Sequence, residues 1–426
     1  MVHDTTGRVC IVNRERHSDH GSLVEPYPIA VSPALALRHH LSADRLLDRA
    51  ITRALTRRWR YTADTLWPRV YRLTERAAAT FTMFGLTIDY PPSALHVLHP
   101  RALRPDADPV AALGTLLTTT IGRLPVLAGQ TGIELSGGAD SANVALTVAS
   151  LHDDQAHSYA VLLDGAIGRQ QQKRRAEIVG ALGFRDTTIR AAEHLPLMPE
   201  GPRVGPHDPT GEMYLEMFEA ARAAIADAGV RVVFTGYGGD ENLSRRPAER
   251  AAEGAEIQPG EGEMPWLGPR TIAALREIDA NLTPAALSPI PTLMAHAVRN
   301  QRFLRYGIWP VSPLADPLIT WFGKSLPVQW RRGKRLLRDR LRRAGFSEVV
   351  ATPPKPEVFS SNMQSGLRRY GLGHMQRMLD DSLLVDTGYV DRTTLAAAYR
   401  QFAAGGEIPD LLYETVAVEQ GLRSLC

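Results

Sequence analysis

Between residues 132 and 234 the chain alternates short, continuous apolar runs with longer stretches whose apolar residues recur every three or four positions. The runs at 132–135, 159–163 and 230–234 predict buried strands, and a weaker one at 186–189 predicts another. The periodic stretches at 110–121, 141–151, 171–182 and 212–228 predict helices. Strand and helix alternating at this spacing predict an α/β fold with a parallel, doubly wound sheet, which binds ligands at the carboxyl ends of its strands. Upstream, Leu35, Leu37, Leu41, Leu46, Leu47, Ile51 and Leu55 fall at helix-like intervals, so residues 32–79 are expected to be mostly helical. Residues 81–88 suggest a strand, and prolines at 91, 92, 100, 105 and 109 suggest a linker. Residues 245–268, rich in Glu, Gly, Ala and Pro, read as a mobile surface segment, and the remainder to 426 reads as helical. The expected division is a short, largely helical region at 1–104 followed by a larger domain at 105–426.

Composition narrows the classes. A chain of 426 residues with 44% hydrophobic and 22% charged residues is that of a soluble globular protein large enough for two domains. A net charge of only +3, without a basic stripe interleaved with aromatics, argues against a nucleic-acid partner. No apolar run reaches the ~20 residues that span a bilayer, and the N-terminus lacks the shape of a signal peptide, so a cytoplasmic location is expected. Cys10 and Cys426 are too few and too far apart for a metal cluster or disulfide framework, and Cys10 reads as a packed residue in an apolar run. Lysine occurs only at 173, 324, 334 and 355 among many arginines, which makes each a candidate for a compact, mobile ammonium.

The chemistry concentrates in two turns. Ser136-Gly137-Gly138-Ala139-Asp140-Ser141 sits between a strand and a helix. Its glycines let the backbone approach a phosphate, its serines add donors, and the helix N-terminus favours an anion. Asp140 would repel bare phosphate, so a divalent cation such as Mg²⁺ bridging it to a nucleotide is expected, which points to ATP. A hundred residues on, Gly236-Tyr237-Gly238-Gly239-Asp240-Glu241 repeats the arrangement after the strand at 230–234, and Asp140 and Asp240 are expected to grip a common ion. Glu241 is either a further contact to metal or substrate or a helix-start glutamate.

With Val311 to Asp316, Gly333 to Arg338, and Pro354-Lys355 followed by Phe359, these turns make the chain over residues 105–426 resemble the asparagine synthetase family. The resemblance is to its ATP-pyrophosphatase synthetase domain, shared with β-lactam synthetases and lasso-peptide cyclases. It implies a sheet of the PP-loop ATP-pyrophosphatase type with a helical C-terminal elaboration. It also implies a reaction in which a carboxylate attacks the α-phosphate of ATP, pyrophosphate leaves, and an amine captures the acyl-adenylate. On matched positions, Leu135, Val161 and Gly236 line the adenine, Ser136, Gly137, Gly138 and Ser141 hold phosphate, Asp140 and Asp240 hold Mg²⁺, and Lys334 and Lys355 serve the pyrophosphate and acyl centre.

Two departures shape the expectation. Val2 stands where glutamine-dependent members expose a nucleophilic cysteine, so neither glutamine hydrolysis nor an ammonia tunnel is expected. Tyr237 matches β-lactam synthetases, in which a tyrosine works with a glutamate to deprotonate the attacking nitrogen; Glu277, on an expected helix at 270–278, is the candidate partner. Asp316 is either structural or a substrate-pocket residue. The reading is an amide synthetase of specialised metabolism joining a small-molecule or peptide carboxylate to an amine, with a β-lactam-type or lasso-type macrolactam cyclase as alternatives. The latter would bring a peptide-processing partner, and a homodimer is compatible with either. An RNA-modifying enzyme is disfavoured by the missing catalytic cysteines, and an inactive nucleotide-binding scaffold by two intact acidic turns.

Overall fold

The structure, a computed structural model, describes residues 2–3, 10–13, 45–68, 70–83, 85–90, 92, 99–124, 129–151, 156–243, 249, 264–284, 287–355 and 357–425. Near the N-terminus, β1 (Val2–His3) pairs antiparallel with β2 (Cys10–Asn13), which runs parallel to β3 (Val70–Leu73). β4 (Ala78–Thr82) and β5 (Gly85–Asp89) form a hairpin.

These strands correct the expectation for residues 32–79. Of the described part only Asp48–Leu55 is α-helical. Beyond it the β-branched and aromatic residues Tyr61, Thr62, Thr65, Trp67 and Tyr71 favour extended backbone, and Pro68 stops a helix. Leu35, Leu37 and Leu41 lie outside the described residues, as does most of the proline-rich stretch at 91–98. The strand expected at 81–88 falls instead on two strands, the end of β4 and most of β5, which pair antiparallel with Thr82 opposite Gly85.

The alternating region gives five parallel strands: β6 (Thr131–Glu134), β7 (His157–Leu162), β8 (Arg185–Arg190), β9 (Val232–Phe234) and β10 (Trp309–Val311), in the order β10-β9-β6-β7-β8. Helices cover both faces, so the inner strands are buried on both sides and read as unbroken apolar runs. Along β9, Val232 and Phe234 join one core with Ile133, Val144 and Leu337. Val233 joins the other with Tyr159, Val161, Met217 and Phe303. Winding proceeds outward from β6 to β8 on one side and continues through β9 to β10 on the other. The reversal falls between β6 and β9, where a doubly wound sheet opens its ligand crevice. Both glycine turns follow these two strands.

A third core joins the chain's ends. Ile51 and Leu55 pack with Trp266, Met375, Leu412 and Val416. Arg57 Nε donates to Glu414 at 2.6 Å, and the Trp266 indole donates to Thr415 Oγ1 at 2.9 Å. Met264 and Trp266 are buried, so residues 264–268 of the expected mobile segment belong to the core. The indole supplies the apolar area that the surrounding Glu and Gly mask in composition. Downstream the chain is mainly helical as expected, from Pro269–Ala274 to Leu411–Leu425, but the expectation missed β10, whose three residues Trp309–Val311 are too short a run to stand out between helices.

Candidate active site

The backbone of Leu135 extends β6 by donating to the Tyr159 carbonyl at 2.9 Å, and the chain then turns into the helix Ala139–Leu151. Gly137, with φ of 94°, makes the bend that an L side chain resists. The turn braces itself: Gly138 N–H donates to Ser136 Oγ at 3.1 Å and Ser141 Oγ donates to the Gly138 carbonyl at 3.2 Å. Asp140 then lies in the first helical turn, beside amides that favour negative charge.

The second turn lies directly against the first. A Cβ on Gly239 would sit 2.2 Å from Asp140 Oδ1, so only glycine lets the two segments approach this closely. A third segment completes the cluster. Gly333 and Lys334 both take left-handed backbone, at φ of 59° and 57°. This places Lys334 Nζ between the two acids, bonded to Asp140 and 2.7 Å from Asp240 Oδ1. Burial pushes the Asp140 carboxyl up to about 6, with Lys334 pulling it down and Asp240 and Glu241 pushing it further up. Against its own burial, Lys334 is held protonated by Asp140 and Asp240.

These residues fit a divalent cation. Asp140 Oδ1 is buried without a hydrogen-bond partner, and one positive charge already contacts both carboxylates. Among the described residues no group of three or more His, Cys, Asp and Glu assembles. The pair therefore suits an ion such as Mg²⁺ that keeps water and phosphate oxygens as its other ligands.

Around this centre, Leu135 and Val161 are buried at the carboxyl ends of β6 and β7, and Gly236 opens the second turn. Lys355 is exposed on the loop between the helices Glu348–Ala351 and Ser360–Gly366. That loop is anchored at two points. Glu357 is bonded to Arg174, which also donates to the Gly137 carbonyl at 3.0 Å, and its carboxylate accepts from the Ser136 side chain. Phe359 packs on Tyr214 and Phe218 at ring separations of 5.1 and 5.8 Å.

The Tyr237 ring lies over the Arg299 guanidinium at 4.8 Å and edge-on to His296. Arg299 in turn binds Glu134 at 2.8 Å and Glu212 at 2.7 Å. Glu277 is placed elsewhere, largely exposed beside Arg276 on a 3-10 turn that adjoins the Asp48–Leu55 helix. No contact of the described residues joins it to Tyr237. Its helix is also shorter than expected, Pro269–Ala274 followed by that turn. Asp316 caps the helix Pro317–Ser325 by accepting from Leu318 N–H at 2.8 Å. Glu241 is raised by burial and hydrogen-bonded to Thr292.

Arg174, Glu357 and Arg299 escape motif reading, because their partners lie up to 183 positions away. The available signal was weak: arginines at buried helical positions demand an acid somewhere in the fold.

Residues 113–301 match the family model described as asparagine synthase. This stretch is an asparagine synthase domain. It spans both glycine turns and Arg299, while Lys334 and Lys355 come from the chain beyond it. The asparagine synthase domain is an ATP-binding ligase domain, and its crevice is where the two turns meet. Among solved structures, the chain is similar to the U34-tRNA thiolase NcsA from Methanococcus maripaludis with its [4Fe-4S] cluster. The identity is 11% over 70% of this chain and 81% of that one, with a TM-score of 0.31, a likeness too loose to bear on function. No curated protein matches the chain. No helix of the described residues is long and apolar enough to cross a membrane.

Proposed function

We propose that the chain is an AMP-forming amide synthetase that adenylates a carboxylic acid with ATP and couples it to an amine in specialised metabolism, acting in the cytoplasm. The observation that carries this reading is the convergence of Asp140, Asp240 and Lys334 from three separate segments at the sheet's switch point. A carboxylate oxygen attacks the α-phosphorus, the bond to the bridging oxygen breaks, and pyrophosphate departs. The amine nitrogen then attacks the acyl carbon, AMP leaves, and the nitrogen's proton passes to a base.

Asp140 and Asp240 would hold Mg²⁺, which when bound neutralises phosphate charge and eases the departure of pyrophosphate. The chain's own groups do the rest. Ser136 and the helix N-terminus bind phosphate oxygens, and Lys334 offers an ammonium to the leaving group. Tyr237, over Arg299 and beside His296 at the second turn, is placed to take the amine proton.

Acid-dependent exchange of labelled pyrophosphate into ATP tests the first half-reaction, and Asp140→Ala should abolish it; normal turnover in that variant would sink the assignment. Tyr237→Phe should leave exchange within about twofold and slow amide formation by about 10²-fold. An unchanged rate with capture limiting would remove Tyr237 from the mechanism.

A further inference from the structure

A cavity of about 400 Å³ lies between residues 50–72, the loop at 208–214 with the start of the helix Leu215–Asp227, and the helix Ile290–Arg305. We infer that this cavity is the acyl-substrate pocket, that the chain upstream of the asparagine synthase domain builds one of its walls, and that it takes a small carboxylic acid with an apolar, aromatic or branched body. The inference rests on the amide synthetase reading and supplies its substrate class.

Three features support it. First, the walls are apolar: Leu66 and Trp67 face Tyr214, Phe218, Met294 and Val298 across the cavity. Most of its charged residues are already bonded: Arg53 holds Asp64 at 2.9 Å, Arg299 holds Glu212 and, outside the cavity, Glu134, Arg60 pairs with Asp279, and Arg72 donates to the Thr62 carbonyl. A polyanion or a strongly polar acid would find few uncommitted partners. The Trp67 indole N–H is buried without a hydrogen-bond partner and can serve one ligand oxygen.

Second, the cavity reaches the reaction centre through two shared elements. Arg299 lines it, stacks on Phe218 at 4.2 Å and on Tyr237 at 4.8 Å, and bonds Glu134 at the end of β6. The Lys355 loop seats Phe359 on the cavity residues Tyr214 and Phe218, while Glu357, two positions earlier, is fastened to Arg174 at the first turn. An acid whose body fills the cavity would point its carboxylate past Arg299 toward the turns. Third, the volume lies at the low end of the ~300–1,000 Å³ typical of small-molecule pockets. It suits one small acid and is too small to enclose a peptide being closed into a macrolactam.

The test uses the full-length protein with 4-phenylbutyrate as the apolar probe and succinate as the polar one. Val298→Phe and Ala295→Phe each narrow the cavity from the helix without removing an ion pair, and unchanged thermal unfolding identifies the folded variants. The expected result is exchange driven by 4-phenylbutyrate in the native protein, with its apparent KM at least tenfold higher in either variant and the KM for ATP unmoved. Exchange driven by succinate alone, or an acid KM untouched in both folded variants, would overturn the pocket and leave the amide synthetase reading standing. If no acid drives exchange, yet 4-phenylbutyrate quenches the tryptophan fluorescence of the native protein and not of Val298→Phe, the pocket stands and the adenylation chemistry falls. Neither exchange nor quenching would overturn the pocket as well.

Discussion

Replacing Asp140 with asparagine keeps the shape of the side chain on which both turns converge and removes its charge. The carboxyl ionises near 6 in the folded chain against an ordinary 3.8, which at ~1.36 kcal/mol per unit is worth at most about 3 kcal/mol. The folded pKa lies above the unfolded one, so the folded chain holds the extra proton through the window from about 4 to about 6. The ionised carboxylate therefore costs stability, and that cost grows as pH rises through the window and is complete above it. Because 16% of the side chain remains exposed, about 3 kcal/mol is a ceiling. Asp140→Asn is expected to stabilise the metal-free protein at pH 8 by up to this amount, and at pH 5 by about half of it. Urea unfolding followed by tryptophan fluorescence, in chelator at pH 5 and pH 8, measures both gaps, while pyrophosphate exchange on the same samples should vanish. A variant no more stable than the parent at pH 8, or a gap that fails to widen with pH, would refute the reasoning.

Glu357→Gln removes an anion that rests on Ser136 and Arg174, where phosphate oxygens must bind, so the KM for ATP should fall by about fivefold at low salt; a rise would show that the carboxylate serves catalysis. Gly239→Ala forces a methyl against Asp140 Oδ1 and should lower exchange by at least about 10²-fold while leaving the far helices folded by circular dichroism. His207 and His374 are buried and held down to about 4, so both are neutral in the folded chain. Their contribution is complete above the unfolded value of 6.5 and is lost as pH falls through that value toward about 4, by at most about 3 kcal/mol each. In acid titrations, His374→Gln should flatten this part of the stability profile, and an unaltered slope would count against the burial argument.

The sheet was legible because its strands are buried on both faces and its turns need glycine. The strands expected at 132–135, 159–163 and 230–234 lie within two residues of β6, β7 and β9 at either end. Asp140 and Asp240 were legible for the same reason, since an acid placed after two glycines has few structural excuses. The N-terminal region was misread because leucine spacing suggested helix while Trp67, Pro68 and Tyr71 favoured strand, and local propensity cannot weigh partners that are distant in sequence. Glu277 was chosen for its helix and its charge, yet the fold turns it toward solvent. Arg299, Arg174 and Glu357 matter through pairings that only the folded chain creates. Lys334 was recognisable as a scarce lysine, but its place between the two acids depends on two successive left-handed residues that no composition announces.

The core shared by the two ends of the chain bears on how the protein is made. Arg57 and its partner Glu414 are 357 positions apart, and the apolar face of Ile51 and Leu55 is completed by helices of the last hundred residues. At ~5–20 residues per second, a ribosome leaves the Asp48–Leu55 helix waiting roughly 20–70 s for these neighbours. The β6 to β10 sheet, finished at Val311, is synthesised meanwhile. The Asp48–Leu55 helix is thus made before the sheet yet buried after it, and a nascent chain stalled before residue 411 would hold a formed nucleotide crevice beside an unsatisfied greasy flank, a natural client for a chaperone.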